Sequence, residues 1–448
     1  MRRKNLVSMT KYIIKGGKPL KGAVRIGGAK NSSFKLMIAS LLADSESRLL
    51  DISRIGDVQI TKQVIEILGG EVKSPGKGTI FINPKKLKNY QIPQDFGYKS
   101  RASMMFAGPL LARFGKAYLP LPGGDQIGRR PVDRHLDGLK ALGVLVKQTD
   151  GFIRLECSQL TGNKFRFVKN THTGTETLIM AAVLAKGITI LENAALEIEI
   201  DDLISFLNKM GAKIKRLPNR VIKIEGVKKL KGTIHKAIPD RNEAVSYACA
   251  ALATKGDIII ENARAEHLNA FLEKVKEAGG HYETDHYGLR FWYEQPLKAT
   301  KIKTQPHPGF MTDWQALWTT LMTQAKGQSE MIETVYEYRF GFVGDLKKMG
   351  AKIELFNPQV PNPEKFYNFN LTDDHHQNFH AARVFGPTPL KGMELKVTDI
   401  RAGATLMLAA LIAKGKSILI DDGHIQRGYE DLDLRLKELG ADIQRVES

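Results

Sequence analysis

Residues 178–211 read LIMAAVLAKG ITILENAALE IEIDDLISFLNKM G. The first ten carry almost no polar side chain before Lys186-Gly187, which predicts a helix buried on most of its sides. Ile188-Thr189-Ile190 then reads as a β-branched strand. From residue 198 the period becomes helical again. Ile200, Leu203, Ile204, Leu207 and Met210 fall on one face, and Gly211 stands where a left-handed residue closes a helix.

This pattern recurs along the whole chain. Six amphipathic segments end in an apolar residue and a glycine, at Gly69, Gly143, Gly211, Gly279, Gly350 and Gly440, spaced 74, 68, 68, 71 and 90 residues apart. Each is preceded by a smaller, more apolar helix: 33–43, 102–115, 178–187, 245–256, 317–327 and 405–415. After four of them a Lys-Gly pair turns into a strand, and Glu-Asn-Ala at 192–194 returns at 261–263, which marks a structural turn. The unit therefore reads strand, buried helix, strand, amphipathic helix, and one or two short strands. A buried helix in every unit predicts helices inside and sheets outside. The longest spacing contains a Pro- and Asn-rich stretch at 357–390, expected as a surface loop.

At 448 residues the chain exceeds the ~250–300 at which single cores stop growing, so two domains of three units each are expected. No apolar stretch approaches the ~20 residues of a membrane span. Arg2-Arg3-Lys4 is not followed by an apolar segment, so no secretory signal and no membrane insertion are expected. Two cysteines, Cys157 and Cys249, exclude a disulfide framework and fit a reducing cytoplasm. The net charge of +19 attracts anions, but the basic residues are scattered and form no nucleic-acid motif. A solvated basic surface, with no nucleic-acid partner, is the expectation.

The start of each buried helix carries an unusual polar group: Lys30-Asn31, Arg101, Thr171 to Thr175, Asp240-Arg241, Thr312-Asp313, and Asp399 with Arg401. Helix N-termini offer free N–H groups and a positive dipole end, which suits anions. Asp240 and Asp399 fit an N-cap equally well, and Thr312 is an alternative cap beside Asp313. A dense polar turn at 121–135 holds Gly123, Gly124, Asp125, Gly128, Arg129, Arg130, Pro131, Val132 and Asp133, and reads as a mobile loop able to grip a phosphate or carboxylate. Glu337-Tyr338-Arg339 and the 424–430 segment with Arg427 occupy matching places later in the chain.

Over roughly residues 11–448 the chain resembles the UDP-N-acetylglucosamine 1-carboxyvinyltransferase family of enolpyruvyl transferases. The matching motifs are Gly27-Gly28-Ala29-Lys30-Asn31, Arg101-Ala102-Ser103, Ala112-Arg113-Phe114-Gly115, the 121–135 turn, Pro239-Asp240-Arg241, Pro306-His307-Pro308 with Thr312-Asp313, Glu333-Thr334-Val335, Asp399-Ile400-Arg401-Ala402 and Arg427-Gly428-Tyr429-Glu430. The resemblance implies an inside-out α/β barrel pair of six repeats. One domain would span 30–238 and the other 1–29 plus 239–448, with the active site in the cleft between them. It implies transfer of the enolpyruvyl group of phosphoenolpyruvate to the 3′-hydroxyl of UDP-N-acetylglucosamine, the first committed step of peptidoglycan precursor synthesis, with no cofactor and no metal.

The same resemblance assigns roles. Lys30 contacts phosphoenolpyruvate and Asn31 the sugar. Arg101, Arg130, Arg401 and Arg427 bind phosphate and carboxylate groups. Asp313 is the base near the 3′-hydroxyl. Pro131, Val132 and Asp133 line the uridine pocket, Thr171 to Thr173 lie where the family binds the diphosphate, and Val335 and Arg339 flank sugar and phosphate. Asp399 belongs with the substrate-binding set.

The chain departs from the family at two of these places. Asp125 stands where most members have cysteine and some have aspartate. A carboxyl donates a proton near neutral pH only if its pKa is raised; desolvation would raise it, while Arg129 and Arg130 would lower it. Resistance to fosfomycin, an epoxide that alkylates the family cysteine, is expected, because a thiolate is the better nucleophile. Residues 171–175 are Thr-His-Thr-Gly-Thr where Ser-Val-Gly-Ala-Thr is usual. The rival readings are transfer to a different acceptor, a non-catalytic homologue, and a metal site at Asp374, His375, His376 and His380, whose spacing allows ligation but which falls in the expected loop. The oligomeric state is left open.

Overall fold

The computed structural model describes residues 9–99, 101–121, 123, 128–129, 131–149 and 151–447. By its contacts the chain divides into two compact units. One comprises Met1–Ile26, Asp125–Arg129 and Pro239–Ser448, and the other Gly27–Gly124 and Arg130–Ile238. Each has its own apolar core, and among the described residues each carries three sheets.

In the 27–238 unit the buried helices are Lys30–Ala39, Ala107–Phe114 and His172–Ala182, and the amphipathic ones Gly56–Ile67, Asp133–Ala141 and Ile198–Lys209. In the unit containing 239–448 the buried set is Arg241–Ala253, Thr312–Met322 and Ile400–Ile412, with Asn269–Glu277, Val343–Lys348 and Leu432–Glu438 half-exposed. Arg241–Ala253 is buried at every position. The strands alternate instead: in Asp257–Glu261 only Ile258 and Ile260 are buried. Period-two strands cover the helices with one face and meet water with the other.

The six repeat glycines all take left-handed backbone, with φ of 98, 89, 106, 74, 105 and 96° at Gly69, Gly143, Gly211, Gly279, Gly350 and Gly440. Asn193 and Asn262, in the repeated Glu-Asn-Ala turn, are also left-handed (φ 52 and 67°), a conformation that asparagine tolerates better than most residues.

Within a repeat, the short strand before the buried helix pairs in parallel with the strand after it. Lys164–Arg166 pairs with Ile188–Glu192, Lys301–Lys303 with Gly327–Ile332, and Glu394–Lys396 with Lys416–Asp421. Two repeats exchange this strand. Lys21–Arg25, which precedes the Lys30–Ala39 helix, pairs with Asp257–Glu261 of the other unit's sequence. Ile234–Lys236, which precedes the Arg241–Ala253 helix, pairs with Ser47–Leu50. The chain passes between units at both places, so each unit borrows a strand from the repeat next to it in sequence.

Two expectations need correction. The stretch at 357–390 is not all surface loop. Ala381–Gly386 is an inner strand, between Gly327–Ile332 and Lys352–Phe356, and Tyr367, Phe369 and His380 are buried before it. The alternation in Ala381–Gly386 was masked by the Pro and Asn residues around it. The helix expected at 102–115 is also broken: Arg101–Phe106 is a 3₁₀ turn, and the α-helix is Ala107–Phe114. Gly108 allows the close approach there, since a Cβ would lie 2.8 Å from the Met180 Cβ and 2.9 Å from the Ala181 nitrogen.

Candidate active site

In the unit containing 239–448, three helix starts carry polar side chains held by the fold. Asp240 accepts hydrogen bonds from the peptide N–H groups of Asn242 (2.7 Å) and Glu243 (3.1 Å). Asp399 accepts in the same way from Arg401 and Ala402, both at 2.9 Å. Both aspartates are N-caps. The third helix, Thr312–Met322, starts differently. The Thr312 hydroxyl donates to buried Glu333 (2.9 Å), which leaves Asp313 in the first turn facing arginines.

Asp313 is the hub of this unit's cluster. Its Oδ1 accepts from Arg339 Nη2 at 3.1 Å and from Arg401 Nε at 3.0 Å. Arg339 also donates to the Thr312 carbonyl (3.3 Å), and its side chain is only 3% exposed. Arg401 reaches the Tyr429 hydroxyl at 3.4 Å, and that hydroxyl lies 2.9 Å from Ser246 Oγ. The helix bearing Asp313 is anchored by Trp314 Nε1 donating to Asn242 (2.9 Å) and Trp318 Nε1 donating to Thr300 (3.1 Å). Indole donors that find partners in a core fix rotamers as well as adding apolar contact.

Burial works against the charge of Arg401, but neighbouring Asp313 outweighs it, so the guanidinium pKa is raised. Burial pushes the Tyr429 hydroxyl up, against the opposing pull of Arg401. Burial likewise raises Glu333, although Arg339 and the Val335 N–H (2.7 Å) favour its charged form. Val335 is thus held by its peptide nitrogen. Arg427 lies in the short helix His424–Gly428, whose first turn is tied to Asp421 by the N–H groups of His424 (2.8 Å) and Ile425 (3.2 Å). Arg241 Nη1 meets His307 Nδ1 at 3.1 Å.

In the 27–238 unit, Lys30 opens its helix and pairs with Asp57 at 2.9 Å, with both side chains mostly buried. Asn31 is half-buried beside it. Gly28 packs so closely on the Asp51 carbonyl that no Cβ fits. Val132 is buried, while Pro131 and Asp133 are exposed at the start of Asp133–Ala141. Thr171 caps His172–Ala182 by accepting from the Gly174 N–H (3.3 Å), and the Thr173 hydroxyl meets His135 Nε2 at 2.9 Å. His135 and Arg134, which reaches the Asn170 carbonyl at 3.0 Å, hold this helix start. Asp125, Arg130 and the Arg101 side chain lie outside the described residues. Arg129 is described: its peptide N–H donates to Glu337, and its guanidinium lies 3.1 Å from Asp373.

Asp313, Arg339 and Arg401 are therefore brought together in one unit, with Asp399 as the cap beneath Arg401. Glu333 and Tyr429 stood in quoted motifs without a role, while Ser246, Asp57, Lys35 and Glu176 escaped the sequence reading, because their partners are distant in sequence. Only an acidic or hydroxyl residue inside an otherwise apolar stretch signals them. At the rival metal position, His380 Nε2 donates to the Asp374 carboxylate (2.8 Å) beside the rings of Tyr367 and Phe369, and the His375 ring lies tilted against His376, 4.2 Å between centroids. Among the described residues, no group of three or more His, Cys, Asp and Glu side chains gathers as a ligand set.

Residues 14–436 match the model of the EPSP synthase (3-phosphoshikimate 1-carboxyvinyltransferase) family. The chain is 41% identical to the UDP-N-acetylglucosamine 1-carboxyvinyltransferase of Halothermothrix orenii, over 98% of this chain and all of that one. It is 41% identical to the enzyme of the same name from Sorangium cellulosum, over 97% and 98%. Among solved structures it is similar to the enolpyruvyl transferase NikO from Streptomyces tendae (TM-score 0.85, 23% identity, 98% of this chain and 100% of that one). It is also similar to EPSP synthase from Acinetobacter baumannii (TM-score 0.72, 17% identity, 98% and 100%). Those two likenesses show that the α/β fold described above is shared. The chain belongs to the UDP-N-acetylglucosamine 1-carboxyvinyltransferase family of enolpyruvyl transferases.

Proposed function

We propose that the protein transfers the enolpyruvyl group of phosphoenolpyruvate to the 3′-hydroxyl of UDP-N-acetylglucosamine, releasing phosphate, and so begins peptidoglycan precursor synthesis in the cytoplasm. The observation that carries this reading is the Asp313 carboxylate held by two guanidiniums, Arg339 and Arg401, at the start of a buried helix. No helix is long and apolar enough to cross a membrane among the described residues.

The two substrates carry several negative charges, and bringing them together costs repulsion. Fixed cations offset it and hold the reactants in line. In this reading Lys30, Arg101, Arg130, Arg401 and Arg427 take the phosphate and carboxylate of phosphoenolpyruvate. Asn31, Pro131, Val132, Asp133, Thr171, Thr173, Val335, Arg339 and Asp399 bind or support the nucleotide sugar.

The reaction runs by addition and elimination. Asp313 accepts the 3′-hydroxyl proton as that oxygen bonds to C2 of phosphoenolpyruvate, and Asp125 supplies a proton to the C3 methylene. The tetrahedral adduct then loses a C3 proton and its phosphate, which restores the vinyl group. Proton transfer by positioned groups is worth about 10²–10⁴-fold in rate.

Mass spectrometry of the nucleotide after incubation with both substrates tests the reading. A carboxyvinyl ether of UDP-N-acetylglucosamine is expected, and recovery of unchanged nucleotide contradicts it. With aspartate at 125, turnover is expected to continue in fosfomycin, while Asp125→Cys becomes inactivated with time. Inactivation of the wild type, or an insensitive Asp125→Cys, counts against the role of residue 125.

A further inference from the structure

The segment that carries Arg427 is fixed by the three residues after it. Gly428 packs so tightly on Ile400 that no Cβ fits, and Ile400 stands between Asp399 and Arg401 at the start of the Ile400–Ile412 helix. The Tyr429 hydroxyl meets Ser246 of the Arg241–Ala253 helix at 2.9 Å. Glu430 is buried and pairs with Arg435 Nη2 at 3.2 Å, while Arg435 Nη1 reaches buried Glu243 at 3.1 Å. Glu243 belongs to the first turn of the same Arg241–Ala253 helix.

One guanidinium, with its side chain 15% exposed, thus bridges two buried carboxylates. Three such charges in a core carry a desolvation cost that apolar side chains of the same volume would not. Burial works against the Arg435 charge, but Glu243 outweighs it, so the guanidinium pKa is raised. Arginine suits the place because its planar fork offers separate N–H donors to two acceptors, where a lysine ammonium is a single point of charge.

The chain turns sharply to make the bridge. Asp431, between Glu430 and the Leu432–Glu438 helix that carries Arg435, is left-handed with φ 48°. That conformation is unfavourable for a residue with a Cβ, although aspartate tolerates it better than most. The reversal brings Arg435 back beside Glu430. Ser246 and Glu243 are three residues apart on their helix and so lie on one face of it. Tyr429 and Glu430 therefore tie the Arg427 segment to that face at two neighbouring points, close to Asp240 and Arg241 at the helix start.

We propose that Arg435 is a positioning residue for phosphoenolpyruvate: by holding Glu430 to Glu243 it fixes the segment that presents Arg427 to the substrate's phosphate and carboxylate. The inference rests on the function proposed above, in which Arg427 takes those groups. Arg435 acts through the two glutamates and touches no substrate itself. Cations that are fixed before the substrate arrives bind it without paying for their own ordering.

Steady-state phosphate release by the full chain, with each substrate varied in turn, tests it. Arg435→Met is expected to raise the KM for phosphoenolpyruvate about tenfold and to leave that for UDP-N-acetylglucosamine within about twofold, since a misplaced binding group penalises the substrate it serves. Arg435→Lys keeps the charge and should recover most of the loss. Glu430→Gln weakens only one half of the bridge and should raise the same KM by a smaller factor, which keeps the test open if Arg435→Met does not fold. Val275→Ala, which opens a cavity in the same core on the Asn269–Glu277 helix, is the control: it should lower Tm and move neither KM.

Folded Arg435→Met and Glu430→Gln proteins whose KM for phosphoenolpyruvate matches that of the wild type or of Val275→Ala overturn the positioning role, because the wild type still turns over. Equal rises in both KM values overturn it as well. A wild type that releases no phosphate with both substrates present overturns this inference together with the function it rests on.

Discussion

Asp313 accepts two arginine donors on one oxygen, so replacing it with asparagine keeps the shape and removes the charge. Asp313→Asn is expected to lower phosphate release by about 10²-fold or more, the usual loss for a positioned base, with secondary structure unchanged by circular dichroism. His172 gives a pH signature of its own. Burial pulls its pKa down, but Glu176 outweighs burial and the opposing charge of Lys35, so the folded value is raised above 6.5. The proton is bound more tightly in the folded state. The stabilisation is therefore full below pH 6.5 and is lost as pH rises through the folded pKa. The difference in Tm between wild type and His172→Val is expected to shift against the wild type on going from pH 6 upward through that pKa; a flat difference would contradict the pairing. At this scale the sequence was legible where a motif was shared. Asp313, Arg339, Arg401 and Lys30 could be named from their neighbours along the chain. Lys35 and Glu176 could not, because 141 residues separate them and nothing local pairs them.

The repeat was legible at the level of elements because helix stops and apolar faces are local features. Gly211 illustrates this. It sits at φ +106° with open space around it, so Gly211→Ala meets no clash and suffers only from its backbone conformation. The expected cost is about 1–2 kcal/mol, read as a fall of a few degrees in Tm. Gly108→Ala fails for the opposite reason. It has an ordinary helical backbone, but its Cβ would press on Met180 and Ala181, an overpacking cost of about 1–3 kcal/mol. Asp240→Ala removes a cap that satisfies two peptide donors and is expected to cost about 0.5–2 kcal/mol by denaturant unfolding. The inner strand Ala381–Gly386 and the 3₁₀ turn Arg101–Phe106 were not legible. One depends on which strands flank it and the other on how closely two helices approach, and both are tertiary facts.

Two exchanged strands tie the molecule's units to the order of the chain. All strands of the three sheets between residues 27 and 238 lie inside that span. A fragment of residues 27–238 is expected to fold by itself, with native-like helix and strand content. A fragment of residues 239–448 lacks Thr10–Lys15, the strand between Lys416–Asp421 and Asp442–Glu447, and also the edge strand Lys21–Arg25. It is expected to stay largely unfolded until a peptide covering residues 9–26 is added. Circular dichroism of both fragments checks this. Repeat spacing marked six units and chain length suggested two groups of three, but the exchange was not legible from either, since the two leading strands look alike in sequence. Enolpyruvyl transfer is tested most directly by phosphate release from the whole 448-residue chain. Release that requires both phosphoenolpyruvate and UDP-N-acetylglucosamine, and does not occur when shikimate 3-phosphate replaces the nucleotide sugar, is the expected result. No release with the nucleotide sugar, or release with shikimate 3-phosphate instead, would contradict it.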